Sequence, residues 1–331
     1  MRVLTLDARS AADKATVRRL QFAPDGRRFA AVLGPVSHTV AVCDAASGEV
    51  TWEVPGGGDA TGEPAISPDL DAIAWMEDEP EEQCDRVLLW VAGSDAGLEI
   101  GGNLRMADVS AAAFHPDGRW LAVGVYDQKL RSRAISLWHR NGTDHRDPAA
   151  TEVLQFDSNQ AVSALAWSAD ADRLAVAGEF GGLWVIAGLA AKMPQFGVPY
   201  GELRFRQAVR TAIPASQLRQ PVRTLCFALD GRRLLALDGR SLDIWDFDRG
   251  EWLGPLPAKP RVLDAAYSLD GRTLAVTRRD GTVTFLDAGT LAPRTAYDWK
   301  LGPLYSVAFS PDGLTCAAGG TRRRVVVWDL E

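Results

Sequence analysis

The stretch Ser306-Val307-Ala308-Phe309-Ser310-Pro311-Asp312-Gly313 is an alternating apolar run that stops in a Pro-Asp-Gly turn. Alternation with a period of two is typical of a β-strand. Pro fixes φ, Asp hydrogen-bonds to the backbone two residues further on, and Gly accepts a positive φ, so the chain is expected to turn back here. The stretch therefore predicts the first hairpin of an antiparallel sheet.

The same pattern recurs at six other places, so the sequence contains seven copies of one unit. The turn aspartates of the copies are Asp25, Asp69, Asp117, Asp170, Asp230, Asp270 and Asp312. Successive aspartates are 44, 48, 53, 60, 40 and 42 residues apart. Each copy continues with a second strand of small and β-branched residues, a third strand, a Gly-containing turn and a fourth strand. Every copy is therefore expected to form four short strands.

The third strand often ends in an aromatic residue followed by an acid, as in Trp245-Asp246 and Trp328-Asp329. A repeat of this length with four strands and a terminal Trp-Asp pair resembles the WD-repeat β-propeller family, and the resemblance extends over the whole chain. Those two copies carry the full dipeptide, whereas the Gly-His pair that many family members place before the first strand is absent from all seven. The buried Asp-His-Ser-Trp network of better-conserved repeats is therefore not assumed here.

The resemblance implies an all-β fold, a single seven-bladed β-propeller of four-stranded antiparallel blades over residues 1–331. The expected blades cover residues 16–54, 63–101, 108–156, 161–213, 221–254, 261–297 and 303–331. The last copy ends after its third strand, whereas residues 1–7 contain a spare strand, Val3-Leu4-Thr5-Leu6. Pairing of this strand with the last blade closes the ring and removes an exposed strand edge. The alternative is a frayed N-terminal tail.

Composition and charge favour a soluble protein of the cytoplasm. The 331 residues are 47% hydrophobic and 24% charged, which excludes a disordered chain or a disulfide scaffold. With 36 Lys and Arg against 43 Asp and Glu, the net charge of -7 disfavours nucleic acid as a partner. The chain has four cysteines without metal or redox spacing, no signal-peptide core and no apolar run of membrane length. We expect a cytoplasmic protein that is monomeric alone and does not bind membranes.

Motifs for catalysis or cofactor binding are absent from the sequence. It has no nucleophile elbow and no P-loop, and the Gly-rich stretch 56–62 precedes a strand rather than a helix, so no catalytic or cofactor-binding residue is predicted. His139, Asp144, His145 and Asp147 have metal-ligand chemistry, but their spacing matches no closed site. A solvated polar loop is the preferred interpretation, and metal binding by this loop stays open.

Single histidines and cysteines are expected to have structural roles. His38 and His115 are predicted at the surface. Cys43, Cys226 and Cys316 fall in predicted strands, where a thiol behaves as a small apolar group. Cys84 falls in a predicted loop crowded with acids, which disfavours the thiolate and hence a reactive nucleophile.

The resemblance also indicates where a partner binds. Loops from the second to the third strand, and from the fourth strand to the next blade, share the face that the family most often uses for partners. Candidate partner-binding residues in these loops are Glu77, Glu79, Glu81, Glu82, Tyr126, Lys129, Arg278, Arg279, Trp299, Arg322 and Arg323. The glutamates would form an acidic sector of this face and the arginines a basic sector. Two sectors of opposite charge guide the approach of a charged partner and set the orientation in which it binds. Two alternatives stay open, a solvated rim and a Trp299 that packs onto its own blade.

A second candidate surface follows from the spacing of 60 residues between Asp170 and Asp230. This spacing places an insertion at residues 189–207 in blade 4, and loops of such length are commonly functional or disordered. The side chains that would form the surface are Phe196, Tyr200, Arg204, Phe205 and Arg206.

The leading hypothesis is a non-enzymatic scaffold that presents rigid loops to a protein or peptide partner. Loops from distant sequence positions would lie on one surface and lose little entropy on binding. The alternative is a propeller enzyme, or a ligand- or metal-binding protein that uses the central funnel. That alternative requires carboxylates or histidines at the axis, whereas this sequence places its charges in loops.

Overall fold

The computed structural model describes residues 1–34, 39–56, 63–79, 84–100, 106–127, 132–140, 152–156, 161–190, 209–214, 220–256 and 260–330. The chain divides into two compact units. Unit 1 comprises Met1–Gly58, Pro68–Leu70 and Ala228–Glu331, and unit 2 comprises Asp59–Ser67 and Asp71–Phe227.

The described residues form strands that group into four-stranded blades. The first strand, β1 (Arg2–Thr5), belongs to the last blade. Blade 1 contains β2 (Thr16–Phe22), β3 (Arg28–Gly34), β4 (Thr39–Asp44) and β5 (Val50–Val54). Blade 2 contains β6 (Ala65–Ile66), β7 (Ala72–Glu79), β8 (Cys84–Val91) and β9 (Leu98–Ile100). Blade 3 contains β10 (Met106–Phe114), β11 (Trp120–Asp127), β12 (Ser132–His139) and β13 (Glu152–Phe156).

The remaining blades repeat this order. Blade 4 contains β14 (Val162–Trp167), β15 (Arg173–Gly178), β16 (Leu183–Ala187) and β17 (Val209–Ile213). Blade 5 contains β18 (Thr224–Phe227), β19 (Arg233–Leu237), β20 (Leu242–Asp246) and β21 (Glu251–Leu253). Blade 6 contains β22 (Val262–Tyr267), β23 (Thr273–Arg278), β24 (Thr282–Asp287) and β25 (Pro293–Asp298). Blade 7 contains β26 (Leu304–Phe309), β27 (Thr315–Gly320), β28 (Arg324–Asp329) and β1. The predicted all-β fold of seven four-stranded antiparallel propeller blades is confirmed, and blades 2 and 3 are joined into one eight-stranded sheet where Met106 of β10 pairs with Asp85 of β8.

One hydrogen-bonded turn joins the first two strands of the blades. In six copies the turn aspartate accepts the backbone N–H two residues further on. The pairs are Asp25 and Arg27, Asp117 and Arg119, Asp170 and Asp172, Asp230 and Arg232, Asp270 and Arg272, and Asp312 and Leu314. In blade 7, Ser310 Oγ also accepts the N–H of Thr315 at 2.9 Å and lies 2.5 Å from Asp312 Oδ1. The quoted motif is therefore a turn that fixes its own geometry.

His115 corrects one prediction, because it is buried rather than at the surface, with 6% of its area exposed. It occupies the serine position of the blade 3 turn, where Nδ1 lies 2.7 Å from Asp117 Oδ1. Its ring packs edge-on against Trp167 of blade 4, with 4.8 Å between the ring centroids. His115 belongs to a turn, which is why it was predicted at the surface. The neighbouring blade covers its side chain.

The acid that ends the third strand starts the next turn. Asp287 Oδ1 accepts the N–H groups of Gly289 and Thr290 at 3.0 and 2.9 Å, and Oδ2 lies 2.5 Å from Arg294 Nη2. The hydrogen bond from Arg294 lowers the pKa of Asp287 to about 2. The acid at the end of the third strand of blade 6 thus stabilises a turn.

The tryptophans of the third strand pack as apolar residues. The indole Nε1 atoms of Trp138 and Trp328 are buried without a hydrogen-bond partner among the described residues. The residues paired with them on the second strand are Leu121 and Cys316, which carry no hydroxyl group. The buried polar network of better-conserved repeats is therefore not formed at these two tryptophans.

Neighbouring blades within each unit share apolar cores. In unit 1 one core joins blades 7 and 1, and another joins blades 6 and 7. In unit 2 the cores join blades 2 and 3, and blades 3 and 4. The backbone approach is close at Gly319 of β27, where an added Cβ would overlap Val17 of β2 and Ser306 of β26. Glycine is therefore needed at this position for blades 7 and 1 to pack.

The N-terminal strand completes blade 7, as predicted from the missing fourth strand. β1 pairs antiparallel with β28 from Arg2 opposite Val327 to Thr5 opposite Arg324. Beyond the strand, the N–H of Leu6 donates to the carbonyl of Arg323 at 3.0 Å, and the Leu6 side chain is fully buried. The pairing is therefore confirmed, and it is fixed at its end by an apolar anchor.

We expect a chain lacking residues 1–7 to melt at a lower temperature and to form oligomers, because β28 becomes an exposed edge. As a point test, Leu6→Ala should cost about 2–5 kcal/mol, whereas Val3→Ala should cost less because Val3 is 44% exposed. Thermal denaturation and analytical ultracentrifugation measure both effects. An unchanged monomer after the deletion would show that β1 does not close the blade.

We expect Asp287→Asn to lower the melting temperature near neutral pH, because the charged acceptor of the turn is lost. The folded pKa of Asp287 is about 2, below its ordinary value of 3.8, so the charge stabilises the fold above that ordinary value. This contribution disappears as the pH falls through about 2, and the two melting curves should then converge. A difference that stays constant over the whole acid range would refute the assignment.

Candidate functional site

The candidate site lies at one end of the blades in unit 1. Because neighbouring strands are antiparallel, the turn between the second and third strands lies at the same end as the connection that enters the first strand. We call this region the arginine end. It comprises the turns 238–241, 279–281 and 321–323 and the connections 6–15, 254–256, 260–261 and 299–303.

Arg278 and Arg261 fasten the connection into blade 6. Arg278 is the last residue of β23, and its buried side chain donates from Nη1 to the carbonyl of Pro260 at 2.6 Å. Burial lowers the pKa of this guanidinium. Arg261 donates from Nε to the carbonyl of Gly239, and the N–H of Arg279 donates to the carbonyl of Arg261 at 2.9 Å. Two guanidinium groups thus act as internal hydrogen-bond donors.

The connection from blade 6 to blade 7 is held in the same way. Arg324 donates from Nη2 to the carbonyl of Leu301 at 3.1 Å. The turn 279–281 approaches this connection closely, since a Cβ on Gly281 would lie 2.6 Å from the carbonyl oxygen of Gly302. Gly281 also has a φ of +90°, a conformation that glycine adopts without steric cost. The turn of blade 6 and the loop into blade 7 therefore form one packed surface.

Arg323 fastens the N-terminal segment to blade 7. Its N–H donates to the carbonyl of Ala15 at 2.8 Å, and its Nη1 donates to the carbonyl of Ala8 at 2.9 Å. Nη2 lies 3.2 Å from Asp13 Oδ1, and 16% of the Arg323 side chain is exposed. This arginine, predicted from the sequence as a partner-binding residue, thus serves the closure of the fold.

In the loops of blades 5, 6 and 7 at the arginine end, the exposed cations are Arg240, Arg279, Lys300 and Arg322, and the connection 6–15 adds Arg9 and Lys14. Lys300 is paired with Asp298, whose hydrogen bond raises the pKa of the ammonium group. Arg322 and Arg323 both have a φ of +57°, where side chains other than glycine are strained. The contacts of Arg323 offset this strain, whereas Arg322 extends into solvent.

Trp299 packs onto its own blade, which is one of the two alternatives left open by the sequence. The side chain is half-buried and packs onto blade 7, with 4.5 Å between its ring centroid and that of Trp328. Tyr297 stacks parallel to Trp299 at 5.6 Å and keeps 41% of its area exposed. The pair forms a ledge beside Lys300, in which Tyr297 is the more accessible ring.

Of the candidates in unit 2, several belong to strands rather than loops. Glu77 and Glu79 are in β7 and Tyr126 is in β11, so the hairpins extend further than the sequence indicated. Glu77 accepts a hydrogen bond from Arg86 Nη2 at 3.0 Å. Cys84, which was predicted in a loop, begins β8. Antiparallel pairing continues to Glu79 opposite Cys84, which leaves a shorter loop than expected.

Other predicted residues lie outside the described part of the chain. They are Glu81, Glu82, Lys129, His38, Asp144, His145 and Asp147, together with the insertion residues Phe196, Tyr200, Arg204, Phe205 and Arg206. Among the described residues no group of three or more His, Cys, Asp or Glu is placed to hold a metal ion. The described part of the chain also contains no helix with the length and apolar character required to cross a bilayer.

Sequence comparison finds two segments of the chain that are similar to WD repeats. The family model described as "WD domain, G-beta repeat" matches residues 102–132 and 297–329. Over 103 residues the chain is 39% identical to WD repeat-containing protein 1-A of Xenopus laevis, a match that covers 30% of this chain and 16% of that protein. It is 36% identical over 104 residues to WD repeat-containing protein 1 of Xenopus tropicalis, covering 31% of this chain and 16% of that protein. The matches therefore span a small part of these longer relatives.

We expect Arg323→Ala to destabilise the protein by about 1–3 kcal/mol, because the part-buried carbonyl of Ala8 loses a charged donor. Arg322→Ala should change stability by less than about 0.5 kcal/mol, since the side chain is exposed and alanine keeps the same backbone constraint. Chemical denaturation of both variants gives the two free energies. Equal destabilisation by the two substitutions would contradict the assignment of a stabilising role to Arg323 and not to Arg322.

Proposed function

We propose that this chain, which is a WD-repeat β-propeller, is a non-enzymatic scaffold that binds a protein partner through its arginine end. WD40 propellers typically bind protein partners, which supports the general class of function. The observation that carries the proposal is the set of hydrogen bonds from Arg261, Arg278, Arg323 and Arg324 to loop carbonyls.

These bonds matter because they preorganise the loops. Residues 6–15, 260–261 and 299–303 are distant in sequence, yet each is held by a guanidinium that is itself fixed at the end of a strand or in a turn. A surface that is ordered before binding loses little conformational entropy when a partner docks. The exposed cations of the arginine end, which do not hold the loops, are then presented to solvent on ordered backbone.

Two buried carboxylates of unit 1, those of Asp238 and Asp246, have a structural role. Asp246 Oδ1 accepts the N–H groups of Asp248 and Arg249 at 3.0 Å, and Asp238 Oδ1 accepts those of Arg240 and Ser241 at 2.7 and 2.9 Å. Each carboxylate is thus committed to a turn.

We also propose that the protein is a cytoplasmic monomer. Cys43 and Cys316 are free and buried, and burial raises the pKa of Cys43 to about 12, so these thiols persist unreactive in a reducing compartment. The β1–β28 pairing covers the edge of β28, which favours a monomer. Cell fractionation and sedimentation test the two statements. Recovery with membranes, or a stable dimer, would overturn the corresponding one.

The test of the scaffold proposal is affinity capture from a cytosolic extract with quantitative mass spectrometry. We expect at least one protein to be retained by the wild type and lost from the double variant Arg279→Glu/Arg322→Glu. The matched control is Arg232→Glu/Arg249→Glu, which reverses two exposed arginines in turns at the opposite end of blade 5. The three proteins should share one melting temperature. Retention that is equal in all three would refute the proposed face.

A further inference from the structure

The exposed cations in the blade 5, 6 and 7 loops of the arginine end lie on one continuous stretch of packed backbone. The turn of Arg240 is linked to Arg261 through the carbonyl of Gly239, and Arg261 is linked to the N–H of Arg279. The turn that follows Arg279 meets the connection of Lys300 at Gly281 and Gly302. Arg324 then joins that connection, at Leu301, to the turn of Arg322. Loops of blades 5, 6 and 7 in unit 1 therefore present their cations on a common arc.

Three acids near this arc already have partners. Asp298 is paired with Lys300, and Asp13 is paired with Arg323. Asp280 Oδ1 accepts the N–H and the hydroxyl of Thr282 at 3.0 and 2.7 Å. The guanidinium groups of Arg240, Arg279 and Arg322 are exposed beside them. The arc therefore carries a local positive charge within a chain whose formal net charge is -7.

This local charge is not explained by solubility, because the overall excess of acids already supplies charge repulsion between molecules. Arg322 also occupies a turn position with a φ of +57°, where glycine or asparagine is the less strained choice. An exposed residue that keeps a strained backbone without a fold contact of its own is a candidate for binding.

From this arrangement we propose that the arc binds an extended, carboxylate-rich segment of the partner protein, with Arg279 and Arg322 as its contact residues. The inference rests on the proposed function and adds the chemical class of the partner. Guanidinium groups bind carboxylates through two parallel hydrogen bonds, which suits Arg better than Lys for this role. The ledge of Tyr297 and Trp299 beside Lys300 offers a place for an apolar side chain of the same segment.

The test is fluorescence polarisation with a labelled peptide of repeated Glu-Glu-Leu units and the full-length protein. We expect saturable binding that weakens as ionic strength rises, because exposed ion pairs are screened by salt. A Gln-Gln-Leu peptide of the same length is the neutral control and should not bind. Arg279→Glu and Arg322→Glu should each weaken binding about tenfold, since attraction is replaced by repulsion. Arg232→Glu, at the opposite end of blade 5, should stay within about twofold of the wild type.

A second variant separates binding from folding. Arg322→Gly relieves the backbone strain, so its melting temperature should equal or exceed that of the wild type while peptide binding falls. If Arg322→Gly binds the peptide as well as the wild type does, Arg322 is not a contact residue and the inference is wrong.

The outcomes distinguish this inference from the proposed function. Equal binding of the Glu and Gln peptides, or binding of a phosphorylated peptide alone, would overturn the inference. If affinity capture still retains a protein that is lost from the Arg279→Glu/Arg322→Glu variant, the scaffold proposal stands. The bound segment of that protein would then belong to a chemical class other than carboxylate-rich. The opposite result is that affinity capture retains no protein while the Glu peptide binds the wild type and binds the Arg279→Glu and Arg322→Glu variants more weakly. In that case the arc is an anion-binding surface, and the proposal that the chain is a scaffold for a protein partner is wrong.

Discussion

Backbone pairing between β1 and β28 is the constraint on which the described structure of unit 1 depends, because it completes blade 7 from the two ends of the chain. Strand pairing alone fixes residues 2–5, and the arginine end extends the same constraint to residue 15. Arg323 is central to this extension, since its backbone and its guanidinium contact four residues of the N-terminal segment, namely Leu6, Ala8, Asp13 and Ala15. Fold closure and loop order therefore have a common cause.

The arginines of the arginine end have two different roles, since some hold the loops and others face solvent. Guanidinium groups at strand ends, such as Arg278 and Arg324, reach back to carbonyls of the connection that enters the same blade. Groups one position further along, such as Arg279, face solvent. A loop can therefore carry adjacent arginines of which one stabilises the loop and the other remains available for a partner. Charge counts along the sequence do not separate these roles.

Local sequence patterns were sufficient to predict the blades and the turns. Alternating residues, the Pro-Asp-Gly turn of Asp312 and the missing fourth strand of blade 7 depend on contacts within a hairpin or on a simple count of strands. The roles of Arg278, Arg323 and His115 could not be predicted in this way, because each depends on contacts with the backbone of a distant loop or with a neighbouring blade. Glu79 was misplaced because β7 continues its pairing beyond the apolar run.

The central claim is that hydrogen bonds between the N-terminal segment and blade 7 order the arginine end before any partner binds. Amide hydrogen exchange in the free protein measures this directly at the N–H groups of Leu6 and Arg323, which donate to the carbonyls of Arg323 and Ala15. The account predicts protection at both amides comparable to that of the paired residues of β27 and β28. Exchange at the rate of an unstructured chain at either amide would contradict it.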